Sequence, residues 1–438
     1  MISFVKDSFF SLLWKVANLG INIIIAALIS RGLGPEGRGS YDLMLVFVMF
    51  FVLFVNLGME NALVYFIGQK KHSIESLIST SVTYCVVIYL LLAFIVIGLF
   101  QLEVVAFFNQ FSAMNFYIGL VSVFPQIISI LLRHTFLGLK QIKKYNLCIT
   151  VEFVAFFIML LTLNFFEFTL NGVLLLYMAA GVISLIVHVF YFARLKVPFN
   201  PVLFKKNVFK DLFSYGVKFF GAGFATFWQS RIGLLYLNSY HGESSVGQFT
   251  TANKLPQLLV KIPNEISLIL YPYASSMTSE EESSNFIAFV LKWLVLYPAV
   301  FFTLITMAIL PQLMDLFFGA EYAKSVPAAF FLVASAVLAG CTNVVANYLS
   351  AKGQVKFSAY AGFMNFAVIA VGGLLIIESY DYYGLAFLAL IGALVGFVYV
   401  MIKVKRLTKL PWEMLLVVNR KEFGQMKELI IHFTKRIK

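Results

Sequence analysis

One stretch decides the fold class: Phe9-Phe10-Ser11-Leu12-Leu13-Trp14-Lys15-Val16-Ala17-Asn18-Leu19-Gly20-Ile21-Asn22-Ile23-Ile24-Ile25-Ala26-Ala27-Leu28-Ile29-Ser30. It holds one charge, Lys15, in 22 residues. A helix rises about 1.5 Å per residue, so this length crosses a hydrocarbon core of about 30 Å. The apolar core of a cleavable signal is shorter, so the run is expected to stay as a membrane span. Eleven more runs follow, at 43–67, 76–100, 113–136, 146–166, 172–193, 212–238, 249–273, 286–310, 326–349, 358–378 and 383–403. In lipid a helix satisfies its own backbone groups. The alternating pattern of an outer-membrane barrel is absent. The expected class is an all-α polytopic membrane protein of about twelve transmembrane helices.

Composition agrees. The 438 residues are 61% apolar, 17% aromatic and only 12% charged. Soluble domains carry about 25% charge and about 45–50% apolar residues. A soluble globule is thereby excluded, and so is a disordered chain. The net charge of +12 does not point to nucleic acid, because the basic residues sit on short loops between apolar runs. With the N-terminus inside, 23 of the 33 Lys and Arg fall on inner segments, three on outer ones and seven within spans. The positive-inside rule then places both termini in the cytosol. Cys85, Cys148 and Cys341 lie in apolar runs and the five histidines are scattered, so neither a disulfide framework nor a metal site is expected. No cofactor is called for. Gly32-x-Gly34-x-x-Gly37 matches a dinucleotide fingerprint only formally, since it follows a span rather than a strand and contains Pro35. No P-loop is present, so the chain does not itself hydrolyse ATP.

The chain repeats itself. Gly34-Pro35-Glu36-Gly37-Arg38-Gly39-Ser40-Tyr41 aligns with Gly242-Glu243-Ser244-Ser245-Val246-Gly247-Gln248-Phe249 at an offset of 208. Gln141-Ile142-Lys143 aligns with Gln354-Val355-Lys356 at 213, and Phe10-Ser11 with Phe213-Ser214 at 203. Six spans per half is an even number, so both halves enter the membrane in the same direction. A parallel pseudo-two-fold repeat of two six-helix bundles follows. The expected divisions are 1–200, 201–403 and a basic amphipathic cytosolic tail over 404–438.

Arg31-Gly32-Leu33-Gly34-Pro35-Glu36-Gly37-Arg38-Gly39-Ser40-Tyr41 resembles an (R)xLGPExxGxY element of bacterial polysaccharide exporters. Pro311-Gln312-Leu313-Met314-Asp315-Leu316-Phe317-Phe318-Gly319-Ala320-Glu321-Tyr322 resembles an outer loop of the same proteins. These are the O-antigen and capsule repeat-unit flippases of the multidrug/oligosaccharidyl-lipid/polysaccharide superfamily. The resemblance implies two bundles in a V, alternating access and coupling to an ion gradient. It implies a lipid-linked oligosaccharide as cargo, with undecaprenyl pyrophosphate as the expected carrier. It also implies residence in the bacterial inner membrane, beside the glycan polymerase machinery.

The polar residues inside the spans give a reading of their own. A charge at mid-bilayer costs at least ~2.5–3.5 kcal/mol on insertion scales, so it usually faces a cavity. The cations within spans are Lys15, Arg133, Lys218, Arg231, Lys254, Lys261 and Lys292, and the acids clearly inside are Glu60, Glu152 and Glu265. Helical spacing gathers them into stripes. Ser11, Lys15, Asn18 and Asn22 form one, and Ser122, Gln126, Ser129 and Arg133 another. Asn253, Gln257, Lys261 and Asn264 form a third, edged by Lys254 and Glu265, while Asn56 and Gln229 add to neighbouring spans. The expected binding set is Lys15, Asn18, Asn22, Gln126, Arg133, Gln229, Arg231, Lys254, Gln257, Lys261 and Asn264. Lys and Arg would hold phosphate by charge, and Asn and Gln would meet sugar hydroxyls. Glu60, Glu152 and Glu265 are candidates for ion coupling. The plainer alternative is polar glue between helices, or snorkelling, which is the first reading of Lys218 and Lys292. Glu265 reads first as an i, i+4 partner of Lys261. Pro256 and Pro263 are expected to bend the eighth span.

Three rivals compete. A multidrug antiporter of the same fold would favour an acidic cleft for its cationic cargo. A polymerase or ligase of glycan assembly would need a large outer loop, and the outer loops here are short. A peptidoglycan-precursor flippase shares the chemistry, but proteins of that kind usually have fourteen spans.

Overall fold

The computed structural model describes residues 2–165, 167–195, 197, 204–277 and 279–417. Among them the secondary structure is helical, with no strand. The long helices are α1 (Ile2–Asn56), α2 (Met59–Gln69), α3 (Ile74–Gln101), α4 (Ala113–Gly138), α5 (Ile142–Thr162), α6 (Leu170–Ala193) and α7 (Lys206–Ala252). They continue as α8 (Pro256–Ser276), α9 (Glu280–Phe289), α10 (Tyr297–Phe318), α11 (Val326–Ala351), α12 (Val355–Thr408) and α13 (Trp412–Leu416). A π-helical segment, Val290–Leu296, joins α9 to α10. Eight helical stretches of the described residues are long and apolar enough to cross a membrane. Two of these, in α1 and α12, are folded at an internal break and hold two spans each. The more polar α7 and α8 carry the remaining two expected spans. Large apolar side chains face outward, Phe94 at 81% and Leu375 at 74% exposure. Water would penalise that surface and lipid does not. The chain is a multi-pass membrane protein.

The repeat is visible in the backbone. α1 breaks at Gly34 (φ 66, ψ −178) and α7 at Gly242 (φ 77, ψ −171), two glycines 208 apart. Only glycine adopts this conformation without steric cost. The other offset recurs as a turn. Lys140 and Gly353 both have left-handed backbones, φ 59 and 78. Gln141 N donates to Phe136 O and Gln354 N to Leu349 O, each at 2.8 Å, so all three positions match at 213.

The chain forms two compact units, Met1–Thr251 with Phe317–Glu321, and Ala252–Leu316 with Tyr322–Lys438. In the first, α4 packs on α6, α2 and α1. Ile78, Leu132, Phe136, Cys148 and Phe192 are buried together there. In the second, α11 packs on α8 and α12 around Leu270, Leu291, Val345, Leu349, Val400 and Leu415.

Several expectations change in detail. The run at 43–67 is not one helix but is interrupted at Leu57-Gly58. Pro256 opens α8 at its first turn, where its missing N–H costs nothing, so it does not bend the helix. Lys254 lies in the turn between α7 and α8. Lys292 does not snorkel: it is fully buried and donates from Nζ to the Val417 carbonyl at 3.3 Å. Of the expected amphipathic tail, α13 is described, with Leu415 fully buried, and 418–438 lie outside the described residues.

Candidate functional site

A cavity of about 520 Å³ lies inside the first unit. Helical periodicity aims its lining. α1 turns Met49, Leu53 and Asn56 toward it, at i, i+4 and i+7. α4 contributes Gln126, Ile130 and Arg133 with the same spacing, and His134 beside them. α7 supplies Thr226, Ser230 and Arg231; α2 supplies Glu60, and α6 supplies Tyr177.

The two guanidinium groups are poorly satisfied. Arg133 Nε is buried without a hydrogen-bond partner. Arg231 Nη2 donates to the thioether of Met49 at 3.4 Å, a weak acceptor. Among the described residues neither forms a salt bridge. The acceptors are incomplete in part. Glu60 Oε1 accepts from Asn61 Nδ2 at 2.9 Å, and the Asn56 amide, the Glu60 backbone N–H and the Arg133 charge also act on this carboxylate; Asn56 Oδ1 is buried and unpartnered. Gln126 Nε2 donates to Glu152 Oε1 at 2.8 Å, which ties Glu152 to the wall. His134 Nδ1 lies 2.8 Å from the Ile130 carbonyl, a contact only an N–H can satisfy. Buried polar atoms are normally paired, so several unpaired ones around one void make it the candidate site for a polar ligand.

Of the expected residues, the cavity therefore collects Gln126, Arg133, Arg231 and Glu60, with Glu152 one contact behind. Others are elsewhere. Asn22 Nδ2 donates to the Asn18 carbonyl at 3.0 Å, and Asn18 Oδ1 is buried without a partner. Lys15 is on α1, and its side chain lies outside the described residues. Gln229 is half-buried on α7 beside the cavity-lining Ser230. In the second unit, Asn264 Oδ1 accepts from Asn343 Nδ2 at 2.9 Å, Lys254 and Glu265 are half-buried, and Gln257 and Lys261 are exposed. Sequence pattern missed His134, Thr226, Ser230 and Tyr177. The i, i+4 spacing of Thr226 and Ser230 was a usable signal; Tyr177, an aromatic in an apolar helix, offered none.

The two stretches that carry the family resemblance meet at one end of the first unit. Arg31 Nε donates to the Phe317 carbonyl at 3.0 Å, and Gln248 Nε2 to the Glu321 carbonyl at 2.9 Å. Arg38, 2% exposed, makes a bidentate pair with Asp42 at 2.8 and 3.0 Å, and Thr250 donates to Asp42 as well. Ser40 donates to the Glu243 carboxylate. Gly39 is so close to the neighbouring turn that a Cβ there would be 1.7 Å from the Glu243 carbonyl oxygen; one on Gly247 would be 1.8 Å from that of Pro35. The two contacts map onto each other at the repeat offset of 208, Gly39 onto Gly247 and Pro35 onto Glu243, so each copy of the repeated element receives the other's glycine.

The sequence profile described as polysaccharide biosynthesis protein matches residues 4–278. No curated protein matches the chain. Among solved structures it is similar to the lipid II flippase MurJ in an inward closed conformation, with TM-score 0.71, 14% identity, and coverage of 99% of this chain and 97% of that one. It is also similar to an inward-facing multidrug resistance MATE family transporter of the MOP superfamily, with TM-score 0.61, 14% identity and coverage of 89% and 95%. A third similar structure is a MOP superfamily transporter from Pyrococcus furiosus, described as having a binding pocket of reverse polarity, with TM-score 0.59, 15% identity and coverage of 93% and 96%. The fold is that of transporters.

Proposed function

The chain belongs to the polysaccharide biosynthesis protein family, and from that premise we propose that it moves a lipid-linked oligosaccharide across the bacterial inner membrane. The cargo's phosphate-bearing head enters from the cytosolic leaflet, binds the cationic cavity and leaves on the outer side, while its lipid tail stays in the bilayer. The Gly34 end faces outward and both termini face the cytosol, as the Lys and Arg distribution requires. An ion gradient drives the cycle, with Glu60 in the cavity as its first candidate, ahead of Glu152 and Glu265.

One observation carries this reading: Arg133 and Arg231 line a single void, two cations against the one carboxylate of Glu60, and among the described residues neither is in a salt bridge. Both side chains are half-buried, and a guanidinium partly withdrawn from water with donors unfilled is costly, a cost that an anionic ligand relieves. Arginine is suited to the task, since its planar fork holds a phosphate through two hydrogen bonds. A multidrug antiporter for cations fits this polarity poorly. Gln126, Asn56 and Ser230 supply donors and acceptors for the sugar.

Glutamine at positions 133 and 231 keeps bulk and removes charge. In a strain relying on this chain, Arg133→Gln with Arg231→Gln is expected to abolish surface glycan at unchanged protein level. Each single change is expected to cut transport by about ten-fold or more, the size of a lost charge-assisted hydrogen bond. Full complementation by the double variant would refute the proposal.

A further inference from the structure

A second concavity lies in the second unit, where α12 ends and α13 begins. It holds about 420 Å³ and is lined by Ile402, Lys405, Arg406, Lys409, Leu410 and Trp412. Local structure shapes it. α12 stops at Thr408, and Lys409 takes a left-handed backbone (φ 57) whose N–H donates to the Lys405 carbonyl at 2.9 Å. Pro411 carries the chain, extended at ψ 156, into α13. Trp412, the first residue of α13, comes back against α12, with its ring centroid 4.8 Å from Lys405 Nζ. α13 is itself held. Leu415 is fully buried in the core of the second unit. Tyr297 Oη donates to the Leu416 carbonyl and Lys292 Nζ to the Val417 carbonyl, each at 3.3 Å. Both walls of the notch are therefore fixed.

Three cations crowd this notch, and no acid is among its lining residues. Among the described residues none of the three is in a salt bridge. Like charges one helical turn apart repel, and an anion between them removes the repulsion. The surface beside the cations is apolar: Leu407, Met414, Leu416 and Val417 are exposed. Water disfavours such surface and hydrocarbon does not. α12 is apolar enough to span the membrane, so its end lies where lipid headgroups begin, the depth at which tryptophan is enriched. A cationic notch beside exposed apolar side chains complements an amphiphile with an anionic head. We propose that Lys405, Arg406, Lys409 and Trp412 form a binding site for the headgroup of an anionic phospholipid, whose chains rest on the apolar side chains beside it. The positive-inside rule puts this end on the cytosolic side, where anionic lipid makes the surface potential negative. The bound lipid ties the end of α12 to α13. The notch shares no residue with the cavity of the first unit, and it does not rest on the cargo proposed above.

The test is native mass spectrometry of the purified full-length protein, with phosphatidylglycerol or phosphatidylcholine of the same chains. Phosphatidylglycerol is expected to bind at least about ten-fold tighter, since each cation near a charged headgroup is worth roughly five-fold. Lys405→Gln, Arg406→Gln and Lys409→Gln together should abolish the preference with an unchanged unfolding curve. Removing the same charge elsewhere, by Lys205→Gln, Lys206→Gln and Lys210→Gln, should leave it intact, as should Arg133→Gln with Arg231→Gln. Equal affinity for the two lipids in the wild type overturns the site. So does an equal loss of preference in the Lys205, Lys206 and Lys210 variant, which would mean that net charge alone attracts the lipid. Loss of preference in the variant of Arg133 and Arg231 would put the lipid in the first unit's cavity and overturn the site too. Glycerol 3-phosphate, a phosphate head without chains, should not displace the lipid at millimolar concentration; displacement would make the notch a site for a soluble anion. Surface glycan reports on the cavity and lipid preference on the notch, so each proposal can fail alone.

Discussion

Asp211, at the Lys- and Arg-rich end of the first unit, pairs with Lys71 at 2.7 Å and with His72 at 2.8 Å. Hydrogen bonds from Lys71 first, and then from His72, hold its carboxyl below the usual carboxylate range. A depressed folded-state pKa contributes stability that is fully present above the unfolded value, about 3.9, and is lost as pH falls through the folded value. Asp211→Asn is therefore expected to lower the melting temperature slightly at neutral pH. The gap should narrow as the medium is acidified below about pH 4. Solvent screening keeps the effect small. A gap that widens on acidification would contradict the pairing. Lys292 shows the opposite regime. Its charge is fully buried and is met by a backbone carbonyl of the tail, so the tail is fastened to the second unit through a side chain that reads as a snorkelling lysine.

α1 and α7 are broken at Gly34 and Gly242, and the helical segments that follow lock through Gly39 and Gly247. A methyl group has no room at either glycine, so the backbones must part. Gly39→Ala or Gly247→Ala is expected to destabilise the protein by about 1–3 kcal/mol, the usual cost of overpacking. The separation has its own readout. A cysteine pair replacing Ser40 and Glu243 should cross-link readily in the parent and much less in either alanine variant. Equal cross-linking would show that the turns absorb the methyl without parting. At the opposite end the matching turns at Lys140-Gln141 and Gly353-Gln354 tolerate lysine at one left-handed position and use glycine at the other. A turn can accept an occasional strained residue where a close backbone approach cannot.

At the scale of the whole chain, orientation is the testable property. The three native cysteines are buried, so background labelling should be low. A membrane-impermeant maleimide is expected to label Glu103→Cys in intact cells and Lys140→Cys only after permeabilisation; both positions are exposed. The reverse pattern would invert the proposed direction of transport. The number of crossings, the parallel repeat and the membrane class were legible in the sequence. They depend on the transfer free energy of consecutive residues and on turn glycines, which are local quantities. The candidate site was legible only in part. Gln126 and Arg133 lie on one helical face, and their stripe points to a cavity without knowledge of the neighbours. That Arg231 and Glu60 join them, while Lys261 is exposed elsewhere, depends on how each helix is rotated about its axis. The break at Leu57-Gly58 had a single glycine to announce it, and the contact with Gly216 that holds it comes from 158 residues away. Burial of adjacent residues is written along the chain, but the convergence of side chains from separate helices is set by packing, and tertiary structure alone decided it.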